Sequence, residues 1–182
     1  MRDRIAYMAL AVAAMAASSG VYAAERYGFG RPATPQEIAG WDIDVSPSGA
    51  GLPPGQGDVR QGAAIFADKC ASCHGPRGEG KPMDQLVGGV GRLRDKKPEK
   101  TVGSFWPYAT TLFDFVRRAM PLNAPQSLTP DEVYAVSAYV LFLNGIVPQD
   151  ATLDADTLAK IRMPNRDGFV SAYPTPASAP KP

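Results

Sequence analysis

The chain has 182 residues, one histidine, two cysteines, 18 glycines and 18 prolines. It is 45% hydrophobic and 20% charged, a balance outside the ranges of disordered and multi-spanning membrane proteins. Lys plus Arg total 19 against 18 for Asp plus Glu, so there is no basic surplus for a nucleic acid; the Cys and His counts exclude disulfide-dense scaffolds and His-rich metal sites.

Residues 1–23 read as a secretory signal peptide. Arg2 and Arg4 precede an apolar run from Ile5 to Ala17, and small residues follow at Ser18-Ser19-Gly20 and Ala23-Ala24. The run has 13 residues, short of the ~20 that a membrane span needs. Arg2-Asp3-Arg4 is not a consecutive twin-arginine pair, which favours general export. Cleavage after Ala23 removes two arginines and one aspartate, taking the formal charge from +1 to 0. A neutral periplasmic protein is expected.

Residues 24–57 hold Pro32, Pro35, Pro47, Pro53 and Pro54 and no sustained period. They predict an extended N-terminal arm, with no helix beyond a turn near Thr34–Ile38 and with Trp41 and Ile43 anchoring it to a core. Residues 58–147 form the compact region. Asp58 caps its first helix with Gln61 at the reciprocal position, and Val59, Ala63, Phe66 and Cys70 share a face. Thr111 and Asp114 open the second, with Leu112, Phe115, Val116 and Ala119 inward. Thr129-Pro130-Asp131-Glu132 opens the third, Val133, Val136, Val140 and Leu143 line it, and Asn144-Gly145 ends it. No run alternates with period two, so an all-α domain with long loops and no sheet is predicted. Residues 148–182 form a C-terminal arm, with a short helix over 154–161 and a disordered Pro/Ala-rich end from Tyr173 to Pro182.

Cys70-Ala71-Ser72-Cys73-His74 unites both cysteines and the single histidine within five residues. This is the C-x-x-C-H signature of covalent haem attachment. Two cysteines three positions apart share one side of a helical turn, so their sulfurs can add to the two vinyl groups of a haem. The next residue then turns its imidazole to the iron. A disulfide across this spacing closes a small strained loop and leaves His74 without a role. A thioredoxin-like pair needs a βαβ context, and a zinc site needs further ligands.

The sixth iron ligand comes from Met83, Met120 or Met163, or the position is open. Met83 lies nine residues from His74, with little chain to cross to the other haem face. Met163 lies beyond the third helix. Met120 follows the second helix 46 residues after His74, and Pro121 frees it from helical continuation. Met120 is therefore the expected ligand. His/Met ligation raises the potential and leaves no site for oxygen or peroxide, which reduces the chemistry to one-electron transfer. Phe105-Trp106-Pro107-Tyr108 reads as a haem wall or core packing, and Arg117 and Arg118 as propionate partners or helix-end charges. Arg92, Arg94, Lys96, Lys97 and Lys100 read as a solvated basic loop, or as an attractor of acidic partners.

With these residues in place, 58–147 resembles a class I cytochrome c. Gly62, Phe66, the haem motif, Met120-Pro121 and Tyr139 carry the resemblance. It implies that the first and last helices cross where Gly62 and Phe66 meet Val136 and Tyr139. A narrower resemblance rests on the stretches 40–45, 51–55, 100–114, 119–121, 124–128 and 163–169. These look like the cytochrome subunit of sulfite/sulfane dehydrogenase, the SoxD-like group. That resemblance implies a periplasmic molybdenum-cofactor subunit that oxidises a sulfur substrate, a downstream electron acceptor, and one covalent haem c on Cys70, Cys73, His74 and Met120. Some members carry a second cytochrome domain. One haem motif here implies a one-haem subunit, or a relative serving another dehydrogenase. A freely diffusing shuttle, and a haem enzyme or sensor with a labile sixth ligand, are the alternatives.

Overall fold

A computed structural model of the chain describes residues 29–170 and Ala172. The expected signal segment 1–23 and the Pro/Ala-rich end from Tyr173 lie outside the described residues.

Helix α1 runs Pro35–Trp41. Thr34 and Glu37 cap it reciprocally, the Glu37 amide reaching Thr34 Oγ1 at 3.2 Å and the Thr34 amide reaching Glu37 Oε2 at 2.8 Å. Arg31 beside Glu37 holds that carboxyl down to about 2. The helix extends past the turn expected at Thr34–Ile38. It also corrects the expected anchor, because Trp41 is 88% exposed. Val45, at 7%, is the residue that enters the core, with Ile43 half-buried.

Strand β1, Gln56–Asp58, pairs antiparallel with β2, Thr152–Asp154, with Gly57 opposite Leu153. The absence of a sheet is thus corrected. Three-residue strands are too short for alternation to register, and their partners lie almost a hundred residues apart in sequence. Gly57 is buried against the third long helix, where a Cβ would lie 2.3 Å from the Ala135 nitrogen.

Helix α2, Val59–Lys69, starts at the expected Asp58/Gln61 capping box. Helix α3 is the single turn Ala71–His74. Helix α4, Val102–Phe105, opens at an unforeseen box of Thr101 and Ser104. Helix α5, Ala109–Ala119, begins before the expected Thr111, with Tyr108 as its N-cap. Its inward face also differs from the expected one. Phe113 is fully buried, whereas Phe115 is 44% exposed and stands edge-on to Trp106 at 5.7 Å. Asp114 is therefore no cap; it is a buried carboxylate.

Helix α6, Pro130–Leu143, has the expected Thr129/Glu132 box, Pro130 in its first turn and Asn144 as C-cap, with Gly145 at φ +69°. It is the central element, buried from Val133 through Ala138 and again at Val140 and Leu141. Phe113 of α5 packs on Tyr134 of α6 at 4.5 Å. Phe66 of α2 packs on Tyr139 at 5.4 Å, and Gly62 lies directly on Ala135 and Tyr139, one residue before the expected Val136. Burial pushes the Tyr134 phenol up to about 12, and its hydroxyl donates to the Pro53 carbonyl at 2.8 Å. Helix α7, Ala155–Leu158, is capped by Asp154 and lies within the expected 154–161.

Candidate haem-attachment site

Helix α2 hands the chain directly to the motif. The Cys70 amide closes the last turn on the Phe66 carbonyl at 2.9 Å, and the Cys70 carbonyl then accepts from the amides of Cys73 at 3.1 Å and His74 at 3.0 Å. Both thiols are half-buried and unbridged on the same turn. Burial, with neighbouring Cys73 adding to it, pushes the Cys70 thiol up to about 11, so it stays a thiol at neutral pH. Gly75, at φ +80°, turns the chain away, and a Cβ there would lie 2.7 Å from the Glu79 carboxyl carbon.

The decisive contact lies on the histidine. His74 Nδ1 is 2.7 Å from the Asp84 backbone carbonyl. A carbonyl only accepts, so Nδ1 is the donor here and Nε2 is the nitrogen left for coordination. A second interaction of this kind fixes the tautomer and orientation of metal-ligating histidines. The loop that supplies Asp84 is itself tied to the motif. The Gly80 amide donates to the His74 carbonyl at 2.7 Å, and the Met83 amide to the Cys73 carbonyl at 2.9 Å. Asn144, the C-cap of α6, holds the next segment by accepting from the Gly88 amide at 3.1 Å and donating to the Leu86 carbonyl at 3.2 Å. Neither the Asp84 carbonyl nor the Asn144 clamp has a signal in the sequence, because both act through backbone groups of a loop.

The three candidate methionines are in different surroundings. Met83 is bound through its backbone to the Cys73 side and its side chain is 46% exposed. Met163 is 1% exposed, in the apolar core. Met120 is the C-cap of α5 in extended conformation, half-buried against the core, its amide on the Val116 carbonyl at 3.1 Å. Cys70, Cys73 and His74 are thus together on one turn, with Met120 on a separate element.

Both arginines before Met120 have partners within the chain. Arg118 forks onto Asp114, with Nε at 2.9 Å from Oδ1, and Arg117 Nη1 donates to the Ile43 carbonyl at 3.0 Å. Tyr108 lies under the Arg166 guanidinium at 4.1 Å, and Phe105 meets Phe169 edge-on at 5.1 Å. In the basic loop, Arg92 pairs with Asp95 and Glu99, Lys100 lies over Phe105, and Arg94, Lys96 and Lys97 are exposed. No group of three or more His, Cys, Asp or Glu among the described residues is arranged to hold a metal ion. Two thiols on one turn, and an imidazole oriented through Nδ1 so that Nε2 is left to coordinate, fit a covalently bound haem c.

A family model described as cytochrome c matches residues 59–144. Thiosulfate dehydrogenase of Stutzerimonas stutzeri (strain A1501) is 30% identical over 132 residues, 71% of this chain. The chain spans 40% of that relative's length. The crystal structure of the sulfane dehydrogenase SoxCD from Paracoccus pantotrophus contains a chain that is 46% identical, with a TM-score of 0.76. That match covers 83% of this chain and 73% of the other. No helix among the described residues is long and apolar enough to cross a membrane. With its haem c chemistry and the cytochrome c fold, the chain belongs to the cytochrome c family.

Proposed function

We propose that this chain is a periplasmic monohaem cytochrome that carries single electrons as the haem subunit of a sulfur-oxidising dehydrogenase. The observation that carries the reading is the α3 turn, with Cys70, Cys73 and a His74 whose Nδ1 is committed to the Asp84 carbonyl. When bound, the haem supplies a one-electron iron couple. Cys70 and Cys73 hold it as thioethers. His74 Nε2 would bind its iron, with the Asp84 carbonyl fixing the tautomer and orientation of the ring. The Met120 thioether would be the second iron ligand, leaving no position for oxygen or peroxide. Residues 58–147 are the cytochrome domain, with 24–57 and 148–182 as flanking arms.

The chemistry of the sulfur substrate belongs to the partner. The relatives named for sulfane and thiosulfate oxidation support a place in sulfur oxidation; the molybdenum-containing donor subunit and the downstream acceptor are what the resemblance to the SoxD-like group implies. Purification of the native protein from its source tests this. Molybdenum and haem iron are expected to elute together at a mass above that of this chain. A monomeric haem protein without molybdenum would instead make it a freely diffusing shuttle.

A further inference from the structure

Residues 122–127, which follow Met120-Pro121, are all exposed. The chain beyond the proposed ligand therefore gives it little restraint, and what restrains Met120 must act through α5. One face of α5 carries Thr110, Asp114 and Arg117, at i, i+4 and i+7. Each makes a hydrogen bond to the backbone of the N-terminal arm. Thr110 Oγ1 donates to the Pro47 carbonyl at 3.3 Å, Asp114 Oδ1 accepts from the Val45 amide at 2.8 Å, and Arg117 Nη1 donates to the Ile43 carbonyl at 3.0 Å.

Seven residues of helix rise about 10 Å, which the four residue steps from 43 to 47 can reach. The arm runs antiparallel to α5, so that its 43 end lies toward Met120. The contact is a packed one, with Val45, Thr110 and Asp114 at 7%, 1% and 8% exposure. The arm is pinned from behind as well, since a Cβ on Gly51 would lie 2.2 Å from the Asp44 carbonyl oxygen. Asp114 is the hub, because its carboxylate also receives the Arg118 guanidinium, two residues before Met120. A buried carboxylate persists when its oxygens are satisfied in this way.

We infer that residues 43–47 are a strap that holds the last turns of α5, and that Asp114 is the positioning residue keeping Met120 on the iron. The inference rests on Met120 being the distal ligand. Carbon monoxide binds the reduced iron only while Met120 is away, so its binding rate reports the open fraction.

The rate is measured on full-length haem-loaded protein, with the Fe–S(Met) band as a second readout. Asp114→Ala is expected to bind carbon monoxide about tenfold faster, the population change set by losing a hydrogen bond to a charged group. Asp114→Asn keeps an acceptor for the Val45 amide and is expected within about twofold of the unmodified protein. Should Asp114→Ala fail to fold, Thr110→Val removes a peripheral strap bond and is expected to raise the rate about threefold. Tyr134→Phe is the control, because it removes a comparable bond to the Pro53 carbonyl from α6. It should leave the rate unchanged.

An unchanged rate in Asp114→Ala, or in Thr110→Val if that variant stands in for it, overturns the strap while leaving Met120 as ligand. An equal rise in Asp114→Asn or Tyr134→Phe also overturns it, by assigning the effect to the charge pair or to general loosening. Absence of the Fe–S(Met) band from the unmodified protein overturns the Met120 reading and the strap together.

Discussion

Met120→Ala is expected to keep its haem and lose its distal ligand. The thioethers of Cys70 and Cys73 do not depend on Met120, and the His74 contact to Asp84 lies on a different segment. Two consequences should be read together. The Fe–S(Met) band disappears, and the potential falls on the order of 0.1–0.3 V, a part of the ~0.8 V that axial ligands command. The reduced protein also binds carbon monoxide at once. Met83→Leu and Met163→Leu are the companions. Met83 is largely exposed, and Met163→Leu is a near volume-conserving change in the core, at a cost below about 1.5 kcal/mol. Neither should alter the spectrum. An unchanged spectrum in Met120→Ala, with loss in one of the others, would move the ligand there.

The second large effect is expected from a single methyl group at Gly62. A Cβ there would lie 1.9 Å from the Ala135 carbonyl oxygen, 2.5 Å from its carbon and 2.8 Å from Tyr139 Cβ. Two of these atoms are helix backbone and cannot swing away, so α2 and α6 must separate. Alanine improves helix propensity by about 1 kcal/mol. Overpacking usually costs about 1–3 kcal/mol, and a clash with backbone lies at or above the top of that range. The clash wins, by about 2 kcal/mol or more against a total stability of ~5–15. Because α2 leads straight into Cys70, less haem should become attached during maturation as well. Gly40→Ala is the control, with nothing within 4 Å of its Cβ. Denaturant midpoints of the two haem-loaded variants check the difference. A Gly62→Ala midpoint equal to that of Gly40→Ala would show that the close approach is not needed.

Several pieces of local chemistry completed within a few residues were legible in the sequence, although the Thr101/Ser104 box was not. The legible ones are the capping boxes Asp58/Gln61 and Thr129/Glu132 and the turn Cys70–His74. Features completed at a distance were not legible. Thr111 and Asp114 have the spacing of a helix start, but Asp114 is recruited by the Val45 amide, 69 residues away in sequence. Phe113 is inward and Phe115 outward, while Leu112 and Val116 are buried as their spacing predicts. Strand β1 forms because Gly57 lets the backbone lie on Ala135, a contact that carries no pattern. Trp41 reads as an anchor from its size, yet the arm is held through the backbone at Ile43, Val45 and Pro47.

The central claim is a haem held by Cys70 and Cys73, and a haem stain after denaturing electrophoresis tests it most directly. Denaturation breaks the His74 and Met120 bonds to iron but leaves thioethers intact. The exported protein should give a stained band at the mass of the chain, and a Cys70→Ala/Cys73→Ala variant should give none. A colourless band from the unmodified exported protein would contradict covalent attachment and the electron-transfer reading built on it.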